Sequence, residues 1–173
     1  MKRHTAKDGG TLSRVAVIID AGSHYGRECM LGIARYAREN SNWRFHLHPR
    51  WPTVWRLDLP RWRGDAVIAQ VADQGMAESL RALSVPIVNI SSVLRDLPFH
   101  PVIPDNIKAG KLGAEHLLRM HHRNYAYLGF TGYTYARDIG LGFARRLQEA
   151  GFQCNAYSPR AGAGDGSEWA RDF

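Results

Sequence analysis

Cysteine is scarce: the 173 residues contain two, Cys29 and Cys154, far apart and in no metal-binding spacing. That excludes a disulfide scaffold and a cysteine-based zinc site, and two reduced thiols are expected in a cytoplasmic protein. No run approaches the roughly 20 apolar residues that span a bilayer, so no membrane partner is expected. The basic start MKRHTAKDGG is followed by no apolar segment and small-residue cleavage site, which excludes a secretory signal. Biased composition is missing too. With 45% hydrophobic residues, 23% charged residues and 17 glycines, the chain is neither disordered nor collagen-like, and it has room for one ordinary domain or part of a larger one.

Acidic residues are the scarcer charge, which leaves a net +7, and its location matters more than its size. Residues 1–14 contribute +3 and residues 50–63 another +3, so everything else carries +1. A nucleic-acid surface concentrates basic residues on one folded face or recognition helix. Here the excess lies in a terminal tail and a proline-rich stretch, which argues against DNA as a direct ligand of these residues.

The continuous apolar run at 15–19 suits a strand buried on both faces, as in a parallel sheet. Helical spacing of Met30, Ile33, Ala34 and Ala37 follows, then a strand at 43–48. Residues 49–64, with Pro49, Pro52, Pro60 and three tryptophans, read as irregular structure or a short helix and not as a regular strand. Further strands are expected at 65–71, 85–90, 102–103, 125–130 and 153–157, with helices at 73–83, 106–121 and 135–150. Asp105 is placed to cap the helix at 106. Residues 168–173 read as the opening of another helix. Strands alternating with helices mean βαβ units: an α/β fold, a parallel sheet with helices on both faces.

Ligands of such sheets bind at the carboxyl ends of strands. That rule selects residues 20–27, 89–92, 104–106 and 131–137, which together offer carboxylate, amide, hydroxyl, guanidinium and tyrosine groups suited to a small hydroxylated ligand. Structural roles compete at each: Asp105 as a cap, and Asn89, Ser91 and Ser92 as a strand end. Catalytic and cofactor signatures are absent. The segment 20–26, DAGSHYG, is similar to the first phosphate turn of sugar-kinase and actin-like ATPases, but a helical pattern follows where those folds need a hairpin. There is no G-x-G-x-x-G, P-loop lysine or G-x-S-x-G elbow, and Gly22 stands where a D-x-D pair needs its second Asp. His46 and His48 share a strand face but have no Cys or acidic neighbour in sequence, and His121 and His122 suit a helix C-terminus. Neither a catalytic residue, a metal ligand nor a cofactor is assigned.

The most specific stretch is 103–130, with Asp105-Asn106, Ala109-Gly110, His116-Leu117, His122-Arg123, Ala126 and Gly129. It resembles the signature of lactose/galactose-repressor-like sugar-sensing domains. With the opening DAGSHYGRECMLGIARYAREN at 20–40 and WRGDAVIA at 62–69, the chain resembles the N-terminal half of xylose operon regulators over residues 14–157. That resemblance implies a type I periplasmic-binding-protein fold, two α/β lobes closing over a sugar. It implies a basic tail at 1–13, a first lobe at 14–124 and the start of a second at 125–173. The rest of that lobe and the DNA-binding domain would then lie beyond, since 1–13 are too few for a preceding helix-turn-helix. Sugar contacts would fall on Asp105, Asn106, Tyr25, Arg27 and the loop before Tyr135. The Ala and Gly positions would permit close helix–sheet packing. One departure stands out: an Arg is common four residues before the aromatic of an R-x-x-G-[FW] segment, and here Ile139 occupies that place before Phe143. Arg137 is the nearest substitute, two residues or about 200° around a helix. The implied function is sugar sensing by a homodimeric regulator that contacts DNA through a C-terminal domain, with dimerisation through helices such as 26–40. The alternatives are an α/β sugar-phosphate enzyme using Asp20, or a free-standing sugar-binding module.

Overall fold

The computed structural model describes residues 12–40, 42–48, 62–130 and 132–158. The irregular stretch expected at 49–64 falls mostly outside these residues, as do the basic tail and the helix start at 168–173. The chain divides into two compact units, Met1–Ser91 with Leu97–Val102, and Ser92–Asp96 with Ile103–Phe173.

The first unit holds β1 (Ser13–Ile18), α1 (His24–Asn40), β2 (Trp43–His48), β3 (Ala66–Ala69), α2 (Gln74–Arg81), β4 (Ile87–Asn89) and β5 (His100–Pro101). All strand pairs are parallel, in the order β2-β1-β3-β4-β5. The chain moves one way from β1 to β2 and the other way from β3 onwards. Right-handed crossovers therefore put α1 and α2 on opposite faces of the sheet. That is why residues 15–19 are apolar without alternation. Val15, Val17 and Ile19 pack with Cys29, Met30 and Ile33 of α1, while their neighbours Ala16 and Ile18 are also buried. Ala34 is exposed, although its spacing put it with the apolar face.

The strand expected at 102–103 instead begins at His100. Pro101 has no N–H to donate, which β5 tolerates because it is an edge strand. The Val102 amide still reaches the Asn89 carbonyl, at 2.9 Å, but its side chain and that of Ile103 are exposed.

The second unit holds α3 (Asn106–Arg119), β6 (Tyr125–Leu128), α4 (Thr134–Glu149) and β7 (Cys154–Tyr157), with β6 and β7 parallel. Its core gathers Ala114, Tyr125, Phe143 and Leu147. Of the small residues at 109–114, Ala114 is buried beside Tyr125 of β6, whereas Gly110 serves a helix pair and not the helix–sheet packing expected of it. A Cβ on Gly110 would lie 2.0 Å from the Ile139 carbonyl oxygen, and one on Gly142 2.0 Å from that of Ile107. Glu115 and Arg146, farther along the two helices, are 3.5 Å apart. Residues 107 and 110 thus meet 139–143, and 115 meets 146, so α3 and α4 run in the same direction and both begin at one end of the unit.

Candidate functional site

In the first unit the carboxyl ends of β1, β3 and β4 are laced together. The Asp20 amide donates to Gln70 Oε1 at 3.2 Å, and the Gln70 amide to the Ile18 carbonyl at 2.9 Å. Asp20 Oδ1 accepts the Gly22 amide at 2.9 Å, and Ser23 Oγ accepts that of Gly26 at 3.0 Å to start α1. Gly26 permits this because a Cβ there would lie 1.9 Å from the Asp20 carbonyl oxygen. The strand order reverses between β1 and β3, the point where doubly wound sheets bind ligands. Gln70 and Asp73 stand there and were not selected from the sequence, although the strand-end rule applied to 65–71 would have found them. Asp73 caps α2, accepting the Met76 amide at 2.8 Å.

Tyr25, 37% exposed, and Arg27, exposed, lie on the first turn of α1 and are both already engaged. The Tyr25 hydroxyl donates to the Ile90 carbonyl at 2.7 Å, and its pKa is pushed up to about 12, chiefly by burial and then by the hydrogen bond with Cys29. Arg27 closes the loop beneath it, donating to the carbonyls of Ala21 at 3.2 Å and Gly22 at 2.7 Å. Tyr25 offers a ligand its ring face more than its proton, and Arg27 offers the rest of its guanidinium fork. Asn89 has a structural role. It is 4% exposed, its Oδ1 accepts the amides of Val71 and Ser91, and its Nδ2 donates to the Ser91 carbonyl.

In the second unit Asp105 caps α3, one carboxylate oxygen accepting the Lys108 amide at 2.9 Å. Its side chain is exposed, so the other oxygen faces solvent. Asn106, half-buried, opens the helix. Arg137 lies exposed in the first turn of α4, with one guanidinium nitrogen 3.5 Å from Thr134 Oγ1. Because α3 and α4 begin at the same end, Asp105, Asn106 and Arg137 share that end. Two helix N-termini there concentrate partial positive charge, which acidic residues offset.

Among the described residues, no group of three or more His, Cys, Asp or Glu side chains is placed to hold a metal. His46 sets its ring edge-on to Trp62, with centroids 5.0 Å apart. No described helix is long and apolar enough to cross a membrane.

The family model described as XylR N-terminal domain matches residues 14–107. No curated protein matches the chain. Among solved structures, the chain is similar to the xylose-binding transcription activator XylR, with a TM-score of 0.74 and 21% identity, covering 92% of this chain and 42% of that one. Transcription regulator CcpA of Lactococcus lactis gives a TM-score of 0.71 at 16% identity over 84% of this chain and 59% of that one. A LacI family transcriptional regulator from Enterococcus faecium with bound ribose gives 0.65 at 17% identity, over 85% and 57%. The chain therefore spans less than two thirds of each of these regulators. At such identities the structural likeness speaks to the α/β fold with its parallel sheet.

Proposed function

The chain belongs to the XylR N-terminal domain family, and from that membership we propose that it is the effector-sensing part of a sugar-responsive transcription regulator. The effector is a neutral pentose, D-xylose first among candidates. The observation that carries this reading is the family match over residues 14–107, which includes the strand-end loops of the first unit and Asp105 and Asn106. The Enterococcus faecium neighbour with bound ribose supports a sugar as the ligand class.

Tyr25 and Arg27 are the candidate contacts in the first unit, and Asp105, Asn106 and Arg137 those in the second. Carboxylate, amide and guanidinium groups suit sugar hydroxyls, which both donate and accept, and an aromatic face suits the C–H side of the ring. The protein works as a binding module in the cytoplasm and not as an enzyme. As a homodimer it contacts operator DNA through a separate C-terminal domain. Sugar regulates that contact only by binding one state of the regulator more tightly than the other.

Thermal melting of the 173-residue chain with D-xylose, D-ribose, D-xylulose, D-glucose and ATP tests the reading. A ligand at about 100 times its Kd adds about 2.7 kcal/mol of apparent stability, several degrees of Tm for a chain of this size. The expected result is a rise with a pentose and none with ATP. A rise with ATP alone, accompanied by hydrolysis, would replace the regulator with an enzyme.

A further inference from the structure

At the end of the second unit where α3 and α4 begin, Arg95 and Asp138, neither of them selected from the sequence, come together beside Tyr133 of the selected stretch 131–137. Segment 92–96 lies against the start of α4, where the amides of Thr134 and Tyr135 donate to the carbonyls of Val93 at 3.1 Å and Ser92 at 2.9 Å. These are two of the amides that a helix N-terminus leaves without partners, so this end is not an open anion nest. The pinned segment delivers Arg95, whose guanidinium pairs with the Asp138 carboxylate one turn into α4. Asp96 turns the backbone beside it at φ 56°, a left-handed conformation that Asp adopts more readily than most residues. On the same turn of α4, Tyr133 and Tyr135 stack with ring centroids 5.6 Å apart and planes 12° apart, and Phe130 leans on Tyr133.

Folding alone gives little reason for this group. The Arg95 side chain is 52% exposed, and an ion pair so open to solvent contributes at most about 1 kcal/mol. Phe130 and Tyr133 are 46% and 39% exposed, which leaves aromatic surface facing water. Together they offer a planar fork of donors, a carboxylate acceptor and an aromatic face. Because the charged pair is balanced, the arrangement suits a neutral polyhydroxyl ligand and not a sugar phosphate. We infer that Arg95, Asp138 and the Tyr133 ring contact the sugar in the second unit and determine which sugar is accepted, alongside Asp105, Asn106 and Arg137.

The inference rests on the sugar-effector reading, and its test separates the two. The 173-residue chain is titrated with D-xylose, D-ribose and D-glucose while the assigned Tyr133 ring and Arg95 Nε–H signals are followed by NMR. D-xylose is expected to move both. Arg95→Lys keeps a charge for Asp138 but loses the planar fork, and Asp138→Asn keeps the shape but loses the charge. Each is expected to weaken D-xylose about tenfold and to change its preference over D-ribose, with melting close to wild type. If D-xylose binds but leaves these signals still, and both variants bind with wild-type affinity and preference, the inference is overturned and the effector reading stands. Binding of no sugar either by the wild-type chain or by the whole protein that carries these residues overturns both. Should Asp138→Asn unfold, Arg95→Lys and Tyr133→Leu, both at exposed positions, decide the question by the same readouts.

Discussion

Asn89 and Asp105 were both candidates for ligand contact, and their surroundings divide them. Asn89 Oδ1 holds the amides of Val71 and Ser91 inside the first unit. Asn89→Ala removes the acceptor of the Val71 amide, and a buried unsatisfied group costs about 1–3 kcal/mol, so a loss of about 2 kcal/mol is expected in urea unfolding. An unchanged midpoint would remove Asn89 from that role. Asp105 keeps an oxygen free after capping α3. Asp105→Ser retains a cap, whereas Asp105→Ala loses about 1 kcal/mol. If the carboxylate touches sugar, both variants bind D-xylose about tenfold more weakly in calorimetry. Wild-type affinity in Asp105→Ser would reduce Asp105 to a cap.

At the scale of elements, the α3–α4 pair depends on two glycines whose added Cβ atoms would strike backbone, which cannot swing aside. Gly110→Ala and Gly142→Ala are each expected to cost about 3 kcal/mol, the upper range of overpacking, read as a lowered Tm. Gly113, one turn beyond Gly110, provides the control. A Cβ there meets Phe143 at 3.8 Å, an ordinary contact, so Gly113→Ala gains helix propensity of about 1 kcal/mol. Equal effects at 110 and 113 would refute the close crossing. At Ile139, where the resemblance leads one to expect an arginine, a guanidinium is nonetheless near. The Ile139 carbonyl lies at the crossing, while Arg95, 43 residues from Asp138 in sequence, brings a guanidinium to this turn from another segment.

At the scale of the whole molecule, the pKa shifts among the described residues all point upward. Burial raises Tyr25, Tyr127, Tyr135 and Cys154, so the folded chain holds these protons more tightly than the unfolded one. Their contribution is complete below the unfolded pKa values and disappears as pH rises through the folded ones, for Tyr25 between 10.0 and about 12. Stability is therefore expected to decline on the alkaline side in a series of melts against pH. Tyr25→Phe should flatten that decline, though modestly, because solvent screens a side chain this exposed. A profile identical to wild type would mean that the Tyr25 proton is not held by the fold.

The sequence by itself determined the α/β alternation, since a strand covered on both faces must be apolar at every position, as residues 15–19 are. It also determined the cap at Asp105, whose carboxylate acts on an amide three residues away, whereas Asp73, counted from the sequence as the first residue of its helix, proves to be the cap of α2. The family resemblance lay in the order of such local features. Contacts between distant segments were decided by tertiary structure alone. Gln70 reaches Asp20 across 50 residues, Tyr25 reaches Ile90 across 65, and Arg95 finds Asp138 across 43. Gly110 faces a neighbouring helix and not a sheet, and β5 starts two residues earlier than its apolar pattern indicates. Each outcome depends on which element lies alongside and in what register. Local periodicity carries burial and backbone conformation but not the identity of the neighbour.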